Sequence, residues 1–206
     1  MTFRVVVLVS GAGTLLQALL DAERDGRLDA DVVAVGSEIP DCPGMARARD
    51  AGVPAFAVPM PTLLRRGSAE RLAWDEEFAD AVAAYEPDLI VLAGFMKLFG
   101  EPFMNRFRGR IVNSHPALLP AFPGAHAVRD ALAAGVTSTG ATIFWVDDGV
   151  DSGTIITQHS VPVEPGDDEA SLHERIKVTE RDMLVRTVNS LAAGNAQSSD
   201  GKATDD

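Results

Sequence analysis

Apolar runs and helical stripes alternate along this chain, and that alternation predicts most of its elements. Phe3 to Val9 is a continuous apolar run of the kind a fully buried strand shows. Thr14 to Asp25 then carries apolar residues at helical spacing. Asp31 to Gly36 reads as the next strand, Gly44 to Ala51 as a short helix stopped by Gly52, and Pro54 to Val58 as a third strand. Pro59 to Gly67 is a connection with two prolines and two arginines. Ser68-Ala-Glu-Arg71 opens a long helix running to about Tyr85, although its acid falls one residue short of a capping box. Leu89 to Ala93 and Ile111 to Ser114 are further strands. Strand and helix signals that alternate in this way predict a parallel sheet.

The pattern then changes. His126 to Ala134 reads as a helix closed by Gly135. Thr137 to Val146 and Thr154 to Val163 are both β-rich and flank an Asp/Gly loop, which predicts an antiparallel pair added to the sheet. Ser171 to Ala193 is a long amphipathic helix whose apolar positions are Ile176, Met183, Leu184, Val188 and Leu191. From Asn195 onward the chain is polar and aperiodic, the signature of a disordered tail. The expected fold is α/β: a Rossmann-like, mostly parallel twisted sheet with helices on both faces and an antiparallel addition near the C-terminal half. Residues 1–194 form one domain and residues 195–206 the tail.

Composition narrows the partners. The 206 residues, 46% hydrophobic and 23% charged, suit one globular domain. With 18 basic residues against 30 acidic ones the net charge is −12, and no basic stripe is present, which speaks against nucleic acid. Arg65-Arg66 reads as solvated surface. Cys42 is the only cysteine, so neither an internal disulfide nor a thiolate metal cluster can form, and it reads as an incidental loop residue. The run Val5 to Val9 is too short for a secretory core or a membrane span. No membrane partner and a cytoplasmic location are therefore expected. Trp74 and Trp145 read as packing residues.

Two segments carry candidate chemistry. Ser10-Gly-Ala-Gly-Thr14 joins a strand to a helix, where free backbone N–H groups can meet an anion. Thr14 is positioned to cap that helix. The dinucleotide fingerprint fails because Leu16 stands where a third glycine is needed, and Glu38 is only a weak candidate for a ribose-binding acid. A phosphate site and a merely structural turn both remain open. The second segment is Ile111-Val-Asn-Ser-His-Pro-Ala-Leu-Leu-Pro-Ala-Phe-Pro-Gly124. Residues i and i+2 of a strand share a face, so Asn113 and His115 project side by side from its carboxyl end, where open parallel sheets bind ligands.

Asp151, in the Gly-rich loop Val146-Asp-Asp-Gly-Val-Asp-Ser-Gly153, is the third candidate. A carboxamide can donate to a developing oxyanion, an imidazole can give or take a proton near neutral pH, and a carboxylate can stabilise the imidazolium. No serine or cysteine stands in a nucleophile-elbow context, which favours direct transfer between two bound substrates. Asn113 and His115 can also be read as merely satisfying backbone groups of the Pro-rich loop. A metal site using His115, His126, Asp151 or His159 lacks any supporting motif, and no metal is expected.

Four stretches together resemble the glycinamide ribonucleotide transformylases, folate-dependent formyltransferases of purine biosynthesis. They are Val7-Leu-Val-Ser-Gly-Ala-Gly-Thr14, Leu89-Ile-Val-Leu-Ala-Gly-Phe-Met-Lys97, Ile111-Val-Asn-Ser-His-Pro-Ala-Leu-Leu-Pro120 and Asp147-Asp-Gly-Val-Asp-Ser-Gly153. Their order and spacing match the family over roughly residues 3–193. The resemblance implies that the amine of phosphoribosyl-glycinamide attacks the formyl carbon of 10-formyltetrahydrofolate. Asn113 would hold the formyl oxygen, His115 would be the general acid, and Asp151 would keep His115 protonated and oriented.

By the same matching the ribonucleotide phosphate falls on Gly13, Thr14 and Leu15, with Lys177 and Glu180 reaching the same substrate. The folate falls along Met96, Lys97, Leu98 and Phe99 beside Asn113, and Arg71 would meet its glutamate tail. Leu15 stands where the family often has Asn, Phe144 where some members have His, and Lys97 where Arg is frequent. The related methionyl-tRNA formyltransferases carry an added basic C-terminal domain and the formyltetrahydrofolate hydrolases an added N-terminal one. Neither is expected here, because the chain ends soon after Ala193 and its first strand begins at Phe3. A non-catalytic nucleotide-binding domain is the remaining alternative. A homodimer through apolar surface on the late β-pair is also expected.

Overall fold

The structure is a computed structural model that describes residues 2–61 and 65–200, with side chains through residue 194. Seven strands form one sheet in the order β3-β2-β1-β4-β5-β6-β7. The parallel part comprises β1 (Phe3–Leu8), β2 (Ala30–Ser37), β3 (Ala55–Ala57), β4 (Leu89–Leu92) and β5 (Ile111–His115). Antiparallel to it run β6 (Ser138–Trp145) and β7 (Ile155–Pro162). The order reverses between β1 and β4, so a crevice opens there at the carboxyl ends of the strands.

The two-residue period of the strands divides the core. Val5 and Val7 of β1 face one layer, together with Leu16 and Leu19 of α1 (Thr14–Arg24), Met45 of α2 (Pro43–Asp50) and Ile176 and Leu184 of α6 (Glu169–Asp200). Val6 and Leu8 face the other layer, with Trp74 and Phe78 of α3 (Ala69–Ala83) and Phe103 of α4 (Glu101–Phe107). α5 (Ala127–Ala133) closes the first layer through Val128. Helices therefore cover both faces, as the continuous apolar strands require.

Several elements differ from the sequence expectation. α4 was not foreseen: it is a short helix after Gly100 with Pro102 in its first turn, and its buried Phe103, Met104 and Phe107 form too brief a stripe to stand out. α6 continues as helix to Asp200, six residues into the segment expected to be disordered, because extending a formed helix needs no new nucleus. Residues 201–206 lie outside the described residues. The N-cap of α1 is Gly13, not Thr14, and no side chain caps it. Ser68 does cap α3, accepting the Arg71 N–H at 3.2 Å. Cys42 stands in the loop just ahead of α2, as its N-cap, and is buried, with Sγ 3.5 Å from Ser37 Oγ.

Candidate active site

One cavity of about 480 Å³ lies at the strand carboxyl ends. Its lining brings together Gly13, Thr14 and Leu15, the loop Met96–Phe99, Asn113 and His115, Asp151, and Lys177 and Glu180 of α6. These segments are far apart in the chain, and the switch point between β1 and β4 is what makes them neighbours.

The floor is β5. Asn113 pairs with Phe144 of β6 and His115 with Thr142, so both side chains leave the same face near the strand end. His115 is 4% exposed, and both of its ring nitrogens face acceptors. Nδ1 is 3.4 Å from Asp151 Oδ2, and Nε2 is 2.8 Å from the carbonyl of Phe122. A ring carrying a proton on each nitrogen would donate to both. The same Asp151 oxygen accepts from the Gly124 N–H at 2.7 Å, which ties the Pro-rich loop to the loop between β6 and β7. Asp151 itself adopts a left-handed conformation, φ 51°, which Asp tolerates better than most residues. Gly153 lets this loop close: a Cβ there would collide with the Trp145 carbonyl. Among the described residues the Asn113 carboxamide makes no side-chain hydrogen bond, although it lines the cavity.

The glycine-turn end of the cavity is built on a backbone only glycine tolerates. Gly13 has φ 68°, and a Cβ on it would stand 2.6 Å from Gly44 Cα. Gly44 donates its N–H to the Gly11 carbonyl at 2.9 Å, and Arg47 Nε donates to the Ala12 carbonyl at 2.8 Å, so α2 braces the turn. The Leu15 side chain is buried and packs into the core, which leaves only backbone at that position for a ligand.

On the far wall Glu180 is 4% exposed and accepts the Ser114 hydroxyl at 2.6 Å. Burial pushes its carboxyl above the ordinary glutamate value, with the Ser114 hydrogen bond and the charges of Lys177 and Arg181 pulling the other way. Lys177 lies 3.6 Å from Glu174, a loose pair. One turn before it His173, half-buried and also on the cavity wall, is held below the usual imidazole range by burial and then by the Lys177 charge. The sequence offered no signal for His173, because it falls in no motif.

Two residues expected at the folate turn their side chains to the interior. Arg71 does not face the cavity: its guanidinium lies 3.1 Å from the buried Asp75, also donates to the Leu98 carbonyl, and sits 4.7 Å from the Trp74 ring. Asp75 is buried one helical turn away and accepts from two nitrogens of the guanidinium, which holds the arginine inward. Phe99 is 6% exposed and stacks with Phe95 and Phe103, so its ring belongs mainly to the aromatic core. Arg66, read from the sequence as plain surface, instead lines the cavity beside Asp148, whose carbonyl accepts from it at 3.3 Å. Glu38 does not face the cavity and is buried against Ser10. Among the described residues no three His, Cys, Asp or Glu side chains gather into a metal-binding group. No described helix is long and apolar enough to cross a membrane.

Comparison with known proteins supplies the family. The model described as formyl transferase matches residues 3–188. The phosphoribosylglycinamide formyltransferase of Mycobacterium tuberculosis is 53% identical over 189 residues, which are 92% of this chain and 85% of that protein. A trifunctional purine biosynthetic protein of Drosophila melanogaster is 44% identical over 94% of this chain, which corresponds to 14% of that much longer protein. The crystal structure of glycinamide ribonucleotide transformylase 1 from Symbiobacterium toebii superposes with a TM-score of 0.88 at 42% identity, covering 94% of this chain and 89% of that one. The chain belongs to the formyl transferase family.

Proposed function

We propose that this formyl transferase is a phosphoribosylglycinamide formyltransferase of purine biosynthesis. It moves the formyl group of 10-formyltetrahydrofolate to the amine of 5'-phosphoribosyl-glycinamide. One observation carries the reading: Asn113, His115 and Asp151, from separate segments, surround one end of a cavity whose other wall is a glycine turn at a helix start. A nucleotide-binding domain without chemistry would not need that convergence.

The ribonucleotide phosphate meets the backbone N–H groups of Gly13, Thr14 and Leu15, with Lys177 supplying the countercharge. Glu180 holds a ribose hydroxyl or the amine. The pterin lies along the backbone of Met96 to Phe99 and of Asp147 to Asp151. Arg66 and Lys97, both on the cavity wall, replace Arg71 as partners of the glutamate tail.

The amine attacks the formyl carbon, and the carbonyl oxygen takes up negative charge. Asn113 donates to that oxygen and His115 protonates it, once the ring exchanges one of its present contacts for the substrate. Asp151 keeps the imidazolium in place and takes the amine proton through water. Collapse of the adduct returns the hydroxyl proton to His115 as the carbonyl re-forms, while the proton held at Asp151 passes back through the water to the folate nitrogen as its bond to carbon breaks, and the formyl amide remains. No residue is acylated. The reading includes a cytoplasmic setting and no metal.

A dimer through the outer strand β7, where Ile155 is 41% exposed, belongs to the same proposal. Light scattering that finds only monomer at assay concentration removes this part. The function itself is tested by following formyl-donor consumption spectrophotometrically with and without the ribonucleotide. Turnover that requires both supports the transferase. Turnover without acceptor assigns a hydrolase, and no turnover with either leaves a binding domain.

A further inference from the structure

Glu38 is a buried acid that the proposed chemistry does not use. It follows the last residue of β2, is 5% exposed, and does not line the cavity. One carboxylate oxygen, Oε1, accepts the Ser10 hydroxyl at 2.7 Å, while Oε2 is buried without a partner among the described residues. A buried oxygen left unpaired is a cost that packing alone would not retain.

Ser10 shows what the other oxygen does. A hydroxyl has one proton to donate and two lone pairs to offer. The proton goes to Glu38, so the lone pairs are left for a donor, and the Met96 N–H takes one at 2.8 Å. The Ser10 backbone N–H adds a bond to the Gly94 carbonyl at 3.2 Å. Ser10 follows β1 at the point where the sheet order reverses. A carboxylate at the end of β2 therefore sets the rotor of a hydroxyl at the end of β1. That hydroxyl in turn anchors the loop leaving β4.

We propose that Glu38 and Ser10 are positioning residues for the formyl donor: Glu38 orients the Ser10 hydroxyl, and that hydroxyl fixes the Met96 backbone so that Met96 to Phe99 present their polar groups to the folate. This rests on the reading of that loop as the folate wall. Neither side chain lines the cavity, and the Ser10 hydroxyl is bonded to Glu38 and to the Met96 N–H rather than to the glycine turn, so the effect falls on the substrate held by the Met96 loop.

The test compares Glu38→Ala, Glu38→Gln and Ser10→Ala with the parent enzyme. In Glu38→Ala and Ser10→Ala the KM for 10-formyltetrahydrofolate rises about fivefold, the equivalent of one ordinary hydrogen bond, while the KM for the ribonucleotide and kcat hold. Glu38→Gln keeps an acceptor oxygen for Ser10 and stays close to the parent. The double variant Ser10→Ala/Glu38→Ala is no worse than either single one. Hydrogen–deuterium exchange over residues 94–99 gives a readout independent of turnover: protection falls in Glu38→Ala and Ser10→Ala and persists in Glu38→Gln. Equal rises in both KM values, or unchanged exchange over that loop, overturn the proposal. Absence of formyl transfer in the parent would refute the assigned function instead, and the exchange result would still decide whether the clamp exists.

Discussion

The imidazole of His115 and the carboxylate of Asp151 face each other at 3.4 Å, although one ends a central strand and the other sits in the loop between β6 and β7. Asp151→Asn keeps the shape and an oxygen for the Gly124 N–H but removes the charge. We expect kcat to fall by about 10²–10⁴, the usual worth of a positioned proton-transfer group. Neither KM should move much, because the carboxylate acts on the transition state. Steady-state kinetics with each substrate varied in turn checks this; a loss confined to KM would show that Asp151 only binds.

Asn113 offers a cleaner separation of catalysis from folding. Its carboxamide makes no hydrogen bond among the described residues, so Asn113→Ala breaks nothing in the resting protein. Loss of one oxyanion donor should lower kcat by about 10²–10³. The melting temperature should stay near that of the parent. A large fall in melting temperature would mean that the side chain is structural.

Glu180 should trade stability for binding. Burial raises its carboxyl above the ordinary glutamate value. A group raised in this direction contributes stability that is fully present below the unfolded value, about pH 4.3 for glutamate, and is lost as pH rises through the folded value. At neutral pH the parent therefore carries a burden that Glu180→Gln lifts. The variant should melt at or above the parent at pH 7 and show no advantage at pH 4, while its KM for the ribonucleotide rises. Melting curves across this range decide it; a variant less stable at pH 7 contradicts the sign.

Gly13→Ala tests the anion end. The left-handed backbone and the 2.6 Å approach to Gly44 Cα leave no room for a methyl group. The substitution should cost about 1–2 kcal/mol of stability through the αL penalty alone. It should also raise the KM of the ribonucleotide more than that of the folate, because the shifted turn is the one proposed to face the phosphate. Equal effects on both would show that the turn is only structural.

Much of this molecule was legible before its coordinates. The order of strands and helices, α4 excepted, followed from apolar period and turn residues, and Asn113 with His115 followed from the two-residue repeat of a strand. Asp151 was a candidate from its Gly-rich loop and its chemistry, but no period of the chain joins it to the other two; the tertiary structure brings it to 3.4 Å from His115. Arg71 shows the limit. From the chain it is a cation on a helix near the folate segment; in the fold it is held by Asp75 and the Leu98 carbonyl and turns away from the cavity. Leu15 and Phe99 likewise were expected at the substrates, yet their side chains go to the core.

The sequence by itself determined which faces are apolar, where the chain turns, and which residue types reach the ends of strands, because those properties depend on neighbours a few positions away. Only the tertiary structure decided that Ser10 meets Glu38, that Ser114 meets Glu180, and that the ring of His115 meets Asp151. Those pairs depend on strand order and register, and both are set by the packing of the whole core against its own loss of conformational freedom, which no local stretch of chain encodes.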